Sequence, residues 1–334
     1  MIKISSSVIK KLIVCLFVAF FANNVIKAQD PAFSQFYANP LYLNPAFAGS
    51  AVCPRIIMNY RNQWPAITGT FVTYNASYDQ HFDKLSGGLG ILVNADRAGE
   101  GTINTNTFSG IYSYRLEVSR TFSINAALQA SYVDRRLAWE KLTFGDMIDP
   151  RSGFIYNTKE EMPADLSKGY VDFSTGLVGY TENFYAGVAV SHLTEPEEGF
   201  KTIHTIPMKF TAHAGAVIDL MKRKSRTRTN EDITLSPNIL YQQQLHFNQL
   251  NYGFYVNWYP FVNGIWYRQN FNNSDAVIFL AGIQQNSFKF GYSYDLTVSK
   301  LTNITGGAHE ISFALQLSCP PKKKKIRTIN CPTF

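Results

Sequence analysis

Cys53, Cys319 and Cys331 are the residues whose type and placement could support covalent chemistry, and that chemistry would be disulfide formation. Their odd number leaves one thiol over, so a Cys53–Cys319 bridge, a bridge through Cys331 and three reduced thiols all stay open. Asp146 and Asp149, shortly before Gly153, could offer oxygens to calcium, but they lack the alternating spacing of a calcium loop and read as a solvated loop. The six histidines, His81, His192, His204, His213, His246 and His309, are scattered along the chain. A single histidine on one face of a strand, as at His213, is the pattern of a hydrogen-bonded interior residue rather than of a metal ligand. There is no Gly-x-Ser-x-Gly, no Walker A loop and no His-Glu-x-x-His; Gly88-Leu89-Gly90 runs on into Ile91-Leu92-Val93, which is a strand and not a phosphate cradle. The sequence thus predicts no enzyme, no cofactor and no metal centre.

Two basic clusters, Lys222, Arg223, Lys224, Arg226 and Arg228, then Lys322, Lys323, Lys324, Lys325 and Arg327, are the remaining groups with chemistry to offer. Such clusters can bind nucleic acid. The N-terminus argues otherwise. Lys3, Lys10 and Lys11 precede an apolar run from Leu12 to Ala22 that is too short to span a bilayer as a helix, the pattern of a secretory signal with cleavage expected between Ala28 and Gln29. Cys15 is not a lipidation site, since Val14 stands where a small residue is needed. For an exported chain the clusters point to a protein or envelope polymer, not to nucleic acid. Removing the four lysines of residues 1–28 leaves 27 Lys and Arg against 24 Asp and Glu, so the exported chain is close to neutral.

The elements that must carry these residues follow from composition and periodicity. Aromatic residues make up 14% of the chain and charged residues only 16%, where a soluble domain carries about a quarter charged. From Phe122 to Tyr132 the even positions read Phe, Ile, Ala, Leu, Ala, Tyr and the odd ones Ser, Asn, Ala, Gln, Ser, which makes a strand with one apolar and one polar face. The same alternation runs through residues 208–220, 250–258, 288–296 and 311–317, and helical periodicity is nowhere comparable. It predicts about fourteen strands, near 52–63, 70–81, 86–95, 103–116, 121–134, 170–180, 183–193, 207–221, 232–243, 247–258, 262–270, 275–285, 286–297 and 308–318, each long enough to cross a bilayer on a tilt. An even count lets a transmembrane antiparallel β-barrel close with no edge in lipid. A soluble β-sandwich with an aromatic core is the alternative that the alternation allows. Tyr60, Trp64, Tyr78, Tyr112, Tyr180, Trp258, Tyr259, Trp266, Tyr292 and Tyr294 are expected in interfacial girdles.

Connection lengths then predict orientation. With the N-terminus in the periplasm, the odd connections face outward, and they include the two longest, 135–169 and 194–206. The even ones read as tight turns, at Thr181-Glu182-Asn183 and around Asn263-Gly264, except for the basic connection 222–232. Both basic clusters fall on the periplasmic side. The organisation expected is a signal peptide 1–28, a segment 29–50 that plugs the barrel, the outer-membrane barrel 51–318 and a basic periplasmic tail 319–334. The plug expectation rests on Pro31, Pro40 and Pro45, which forbid ladder pairing, and on aromatics with no strand period. Closure of such a barrel would bring Cys53, at the start of the first strand, and Cys319, after the last, to one rim.

Gln29 to Ser50, QDPAFSQFYANPLYLNPAFAGS, resembles the N-terminus of the exported PorP/SprF proteins, outer-membrane components of the type IX secretion and gliding machinery of Bacteroidetes. Further blocks carry the resemblance along the chain: YRNQWP (Tyr60–Pro65) with the run Tyr74–Asp79, GGLGILVNADRAGEG (Gly87–Gly101), SHLTEP (Ser191–Pro196), the blocks within Gly291–Phe313, and the ending CPTF (Cys331–Phe334). The resemblance implies a non-enzymatic role beside the periplasmic ring lipoproteins of the machine, or in secreting and retaining a surface adhesin through its C-terminal domain. The other function open to a fourteen-stranded barrel is a transport channel for small apolar molecules, similar to the fatty-acid transporters. Phe33, Phe36, Tyr37, Leu41, Tyr42, Leu43 and Phe47 could line such a path or pack as a plug.

Overall fold

The computed structural model describes residues 30–51, 53–201, 203–220, 233–270, 273–285, 287–298 and 305–319. The expected cleavage site at Ala28 and Gln29, the basic connection Lys222–Arg228, the basic tail Lys322–Arg327 and Cys331 all lie outside the described residues. By its contacts the chain divides between Asp30 and Pro31, and the architecture that follows is that of the second unit.

Fourteen strands form one closed antiparallel barrel: β1 Arg55–Gln63, β2 Phe71–Phe82, β3 Gly87–Ala98, β4 Ile103–Glu117, β5 Ser123–Leu137, β6 Ser167–Tyr180, β7 Phe184–Ser191, β8 Lys209–Ala216, β9 Thr234–Gln244, β10 Phe247–Trp258, β11 Phe261–Asn270, β12 Asn273–Gln285, β13 Phe288–Thr297 and β14 Ala308–Gln316. Each pairs with its neighbour, and the sheet closes where β1 lies against β14, Arg55 opposite Gln316 and Gln63 opposite Ala308. β8 is interrupted at Val217 and resumes at Ile218–Asp219, still on β9.

Burial is inverted relative to a soluble protein. On β5 Leu128 is 68% exposed while Asn125 is 3% and Ser131 5% exposed; the same holds on β8, with Phe210 outward and Thr211 and His213 inward. Large apolar residues outward and polar residues inward suit a wall with hydrocarbon outside, and a sandwich with an aromatic core does not have this arrangement. Trp266 and Tyr180 depart from the girdle expectation. Both are buried and inward, because each falls on the inner phase of its strand, Trp266 with Val262 and Arg268.

The turn expected at Asn263-Gly264 is instead at Tyr259-Pro260, and Asn263 and Gly264 lie inside β11. A side chain at 264 would point into the barrel, where an added Cβ would come within 2.7 Å of the Tyr255 ring. Glycine there makes room for an aromatic on the neighbouring strand, so the pair is not a hairpin signal. Pro260, with no N–H to give a ladder, takes the turn.

The connection after β7 is tied to the ends of β5 and β6 and to the connection between them. Lys168 Nζ pairs with Glu197 at 2.9 Å, Lys201 Nζ with Glu160 at 3.5 Å, and Arg135 with Glu198. Within the first of them Asp149 accepts the backbone N–H groups of Arg151 (2.9 Å) and Ser152 (2.8 Å), and Asp146 accepts that of Lys159 (2.6 Å). These amide donors hold both carboxyls below the usual carboxylate range, and the oxygens serve turns of the loop.

At the closing seam Cys53 and Cys319 form a disulfide, with Cα atoms 5.4 Å apart and 266 positions between them in sequence. Cross-linking so distant a pair acts mainly on the unfolded chain. Reduction is expected to lower stability by about 2–4 kcal/mol, read as a lower urea midpoint for the refolded protein in vesicles with reductant than without; equal midpoints would show that the bridge contributes nothing.

Candidate functional site

The interior of the barrel is lined by buried polar side chains with a few aromatics, and the segment that precedes β1 lies against them. Prolines break that segment into short helical turns: Phe36–Ala38, Pro40–Leu43 and Pro45–Phe47. Pro40 and Pro45 each start a turn, where a missing N–H costs nothing. Asn44 caps the last one by accepting the Ala46 N–H at 2.9 Å. The absence of strand period therefore has a local cause in the Asn-Pro pairs.

Ser34 and Gln35 are held by four buried charges. The backbone N–H groups of Ser34 and Gln35 donate to the Glu310 carboxylate at 2.7 and 3.1 Å. Ser34 Oγ donates to Asp295 at 2.5 Å and accepts from Arg61 Nη1 at 2.6 Å and from Arg268 Nη2 at 2.5 Å. Arg61 pairs with Asp295 (3.0 Å) and Glu310 (3.2 Å), and Arg268 with Asp295 (3.0 Å). Gln35 completes the set: its Nε2 donates to Ser293 Oγ and to the Glu310 carbonyl, and its Oε1 accepts from Ser312 Oγ. Glu310 is fully buried and Asp295 2% exposed. Among the buried four, two cations stand against two anions, the condition for keeping them out of water; Arg268 also lies 3.7 Å from Asp275, which is partly exposed.

The next turns rest on an aromatic floor. The Tyr37 ring meets Trp266 at 6.1 Å and Tyr185 at 5.8 Å, Phe36 meets Trp266 at 5.4 Å, and Phe47 lies 5.3 Å from the His213 ring. Phe33, Leu41 and Leu43 are buried as well; Tyr42 is half-buried and donates its hydroxyl to the Pro31 carbonyl at 2.6 Å. Asn44 Nδ2 reaches the carbonyls of Leu177 and Val188, a position open because residue 176 is glycine: a Cβ there would sit 2.0 Å from Asn44 Oδ1. Gly49 leaves the segment at φ 68°, its Cβ position 2.4 Å from the Gly88 Cα, and donates its N–H to Asp79, which is also paired with Arg55 at 2.9 Å.

His213 lies among the rings of Tyr37, Phe47 and Tyr185, beside Asn44 Nδ2 at 3.1 Å. Among the described residues no group of His, Cys, Asp and Glu is arranged to hold a metal. What the arrangement does is hold the chain's own segment: two backbone amides, one hydroxyl and one carboxamide are each met by a buried partner.

Arg61, Arg268, Asp295 and Glu310 were not singled out as site residues by the sequence reading. A signal existed, since each is a charge within a strand, third from one end of it, on the polar phase. The blocks carrying the family resemblance also converge here: Arg61 lies in Tyr60–Pro65, Asp295 and Glu310 in Gly291–Phe313, and Gly88 in Gly87–Gly101.

The family model described as type IX secretion system membrane protein PorP/SprF matches residues 25–315, from the segment before the barrel to its last strand. The chain belongs to the PorP/SprF family. That membership makes it a membrane component of the type IX secretion system, and the barrel places it in the outer membrane. Among curated proteins no relative matches. Solved structures similar to this PorP/SprF barrel include the toluene transporter TbuX of Ralstonia pickettii (9% identity, TM-score 0.48, 83% of this chain and 93% of that one) and the outer membrane protein Omp33 of Acinetobacter baumannii (8%, 0.46, 80% and 100%). The CymD monoaromatic hydrocarbon channel is a third (11%, 0.47, 84% and 93%).

Proposed function

We propose that this barrel is a non-enzymatic part of the secretion and gliding machinery whose own lumen is plugged by residues 30–50, and which serves the secretion or surface retention of a partner such as an adhesin, engaged through that partner's C-terminal domain. The observation supporting this reading is the clamp of Ser34 and Gln35 by Glu310, Asp295, Arg61 and Arg268. Buried charges that bind the chain's own backbone fix the segment in the lumen where a solute would otherwise pass. A liposome uptake assay on the purified protein separates the two: rapid passage of small apolar solutes through the intact chain would favour the transport reading.

In this reading the C-terminal tail is periplasmic, and the basic connection Lys222–Arg228 with the tail Lys322–Arg327 docks an acidic ring lipoprotein of the machine. Attraction to anionic headgroups is the competing effect; it scales with total charge, whereas docking depends on position. Replacing Lys322 to Lys325 by Gln is expected to abolish co-purification of ring lipoproteins from envelope fractions, and four lysines inserted at the Thr181–Asn183 turn are expected not to restore it. Intact co-purification after the replacement would end the docking proposal.

A further inference from the structure

The four charged residues that hold Ser34 and Gln35 share one level of the barrel. Arg61 stands third from the end of β1, Arg268 third from the end of β11 and Asp295 third from the end of β13, while Glu310 is third from the start of β14. These strand ends all open into odd-numbered connections, the set to which the two longest, after β5 and after β7, belong. The other end of the segment is held at the opposite rim. The Gly49 N–H goes to Asp79, fourth from the end of β2, Gly49 lies against Gly88, the second residue of β3, and Ser50 Oγ accepts from Arg55, the first of β1. Three positions on, Cys53 fixes the chain to Cys319. Between these ends the contacts descend in order: the Ala38 carbonyl accepts from Asn59, midway along β1, and the Ala46 carbonyl from Asn125, third in β5.

The front of the segment opens toward the mouth that carries the long connections. Asp30, Pro31 and Ala32 are half-buried, and from Phe33 to Leu41 every residue is buried. The Pro31 carbonyl is held there by the Tyr42 hydroxyl, and the Tyr42 ring lies 5.6 Å from Nζ of Lys209, the first residue of β8, which also starts at an odd connection. With cleavage expected between Ala28 and Gln29, two residues precede Pro31, and fully extended they reach about 7 Å. The nine residues of β1 span about 30 Å. So short a leader does not return through the barrel.

We propose that residues 30–50 thread the lumen from the outer mouth to the periplasmic rim, so that the N-terminus left by signal cleavage is presented at the cell surface. This rests on the reading that the segment plugs the lumen and that the long connections face outward. β1 still starts on the periplasmic side, as the connection lengths predict; the segment ahead of it has already run the length of the barrel in the opposite direction. The two ends of this strap differ in kind. Its rear is fixed by the disulfide-closed seam through Cys53, whereas its front is held by hydrogen bonds and ion pairs alone. What unseats the plug therefore acts at the front, from the cell surface where a secreted partner emerges, and meets Asp30 to Ala32 before it meets the clamp.

The test is labelling of introduced cysteines on intact cells with a membrane-impermeant maleimide, in the full chain carrying Cys331→Ser so that the native cysteines left after signal cleavage, Cys53 and Cys319, are bridged. Asp30→Cys reports the front of the segment, Lys159→Cys the connection after β5, and Glu182→Cys the turn after β6 at the opposite end. Asp30→Cys is expected to be labelled on intact cells at a yield close to that of Lys159→Cys, and Glu182→Cys only after the envelope is ruptured. Heat-dependent migration on gels verifies that each variant has formed its barrel. If Lys159→Cys is labelled on intact cells while Asp30→Cys is reached only after rupture, or only after unfolding, the direction of threading is overturned. Protection of Lys159→Cys together with labelling of Glu182→Cys would overturn the outward placement of this mouth and with it the surface N-terminus; the plug reading itself is decided separately, by the conductance of the chain lacking Pro31 to Pro45.

Discussion

Removing Pro31 to Pro45 is expected to raise single-channel conductance in planar bilayers on the order of tenfold or more over that of the intact chain, as befits a lumen between that of small side-chain-filled barrels and that of the porins. The deleted residues include Phe33, Phe36, Tyr37, Leu41 and Leu43, all buried inside the wall. The strands do not depend on them for backbone pairing, because every ladder bond of β1 is made with β2 and β14. The barrel should still form, and the lost mass should be replaced by water and ions. Conductance unchanged from the intact chain would leave the plug reading without support.

The second large effect concerns stability. Glu310→Ala takes away the acceptor of the Ser34 and Gln35 amides and one partner of Arg61, all fully or nearly fully buried. Arg61 keeps Asp295, but the buried cluster is left with two cations on one anion, and breaking a buried pair from one side costs about 3–5 kcal/mol. The urea midpoint of the variant refolded in vesicles should fall accordingly. The double variant Arg61→Ala with Glu310→Ala is expected to lose less than the sum of the two single changes, because the second change removes the charge that the first left stranded. A loss below about 1 kcal/mol for Glu310→Ala, the range of an exposed pair, would mean that water reaches the cluster and that the clamp is weak.

The two effects are linked through Ser34. Its hydroxyl and amide are met by residues of β1, β11, β13 and β14, so the same side chains that neutralise one another also hold the front of the segment. Arg268→Ala should therefore act in both assays, raising conductance while lowering stability. Its guanidinium meets Asp295 at 3.0 Å as well as Ser34 Oγ at 2.5 Å.

Much of the wall could be read directly. A strand between lumen and hydrocarbon meets two opposed solvents, and this imposes the period-two alternation that marks residues 122–132 and 208–220. Strand number, antiparallel order and nearly all strand limits follow from that pattern. The Asn-Pro pairs likewise announced a segment that could not join the sheet. Where the reading failed, the reason was a neighbour distant in sequence. Asn263-Gly264 has the composition of a turn, but Gly264 is small because Tyr255 lies against it across the ladder. Trp266 and Tyr180 have the composition of a girdle, yet their phase points them inward.

The interior was decided by tertiary structure alone. Arg61 and Glu310 stand 249 positions apart, and Ser34 and Glu310 276 apart; only closure of β14 on β1 makes them neighbours. A charge on the polar phase of a strand could as well face a water-filled channel, and nothing in its own surroundings along the chain says which. Alternation records which side of the wall a residue faces. What it meets on that side depends on how distant strands align, because those contacts form between residues that the linear pattern does not pair.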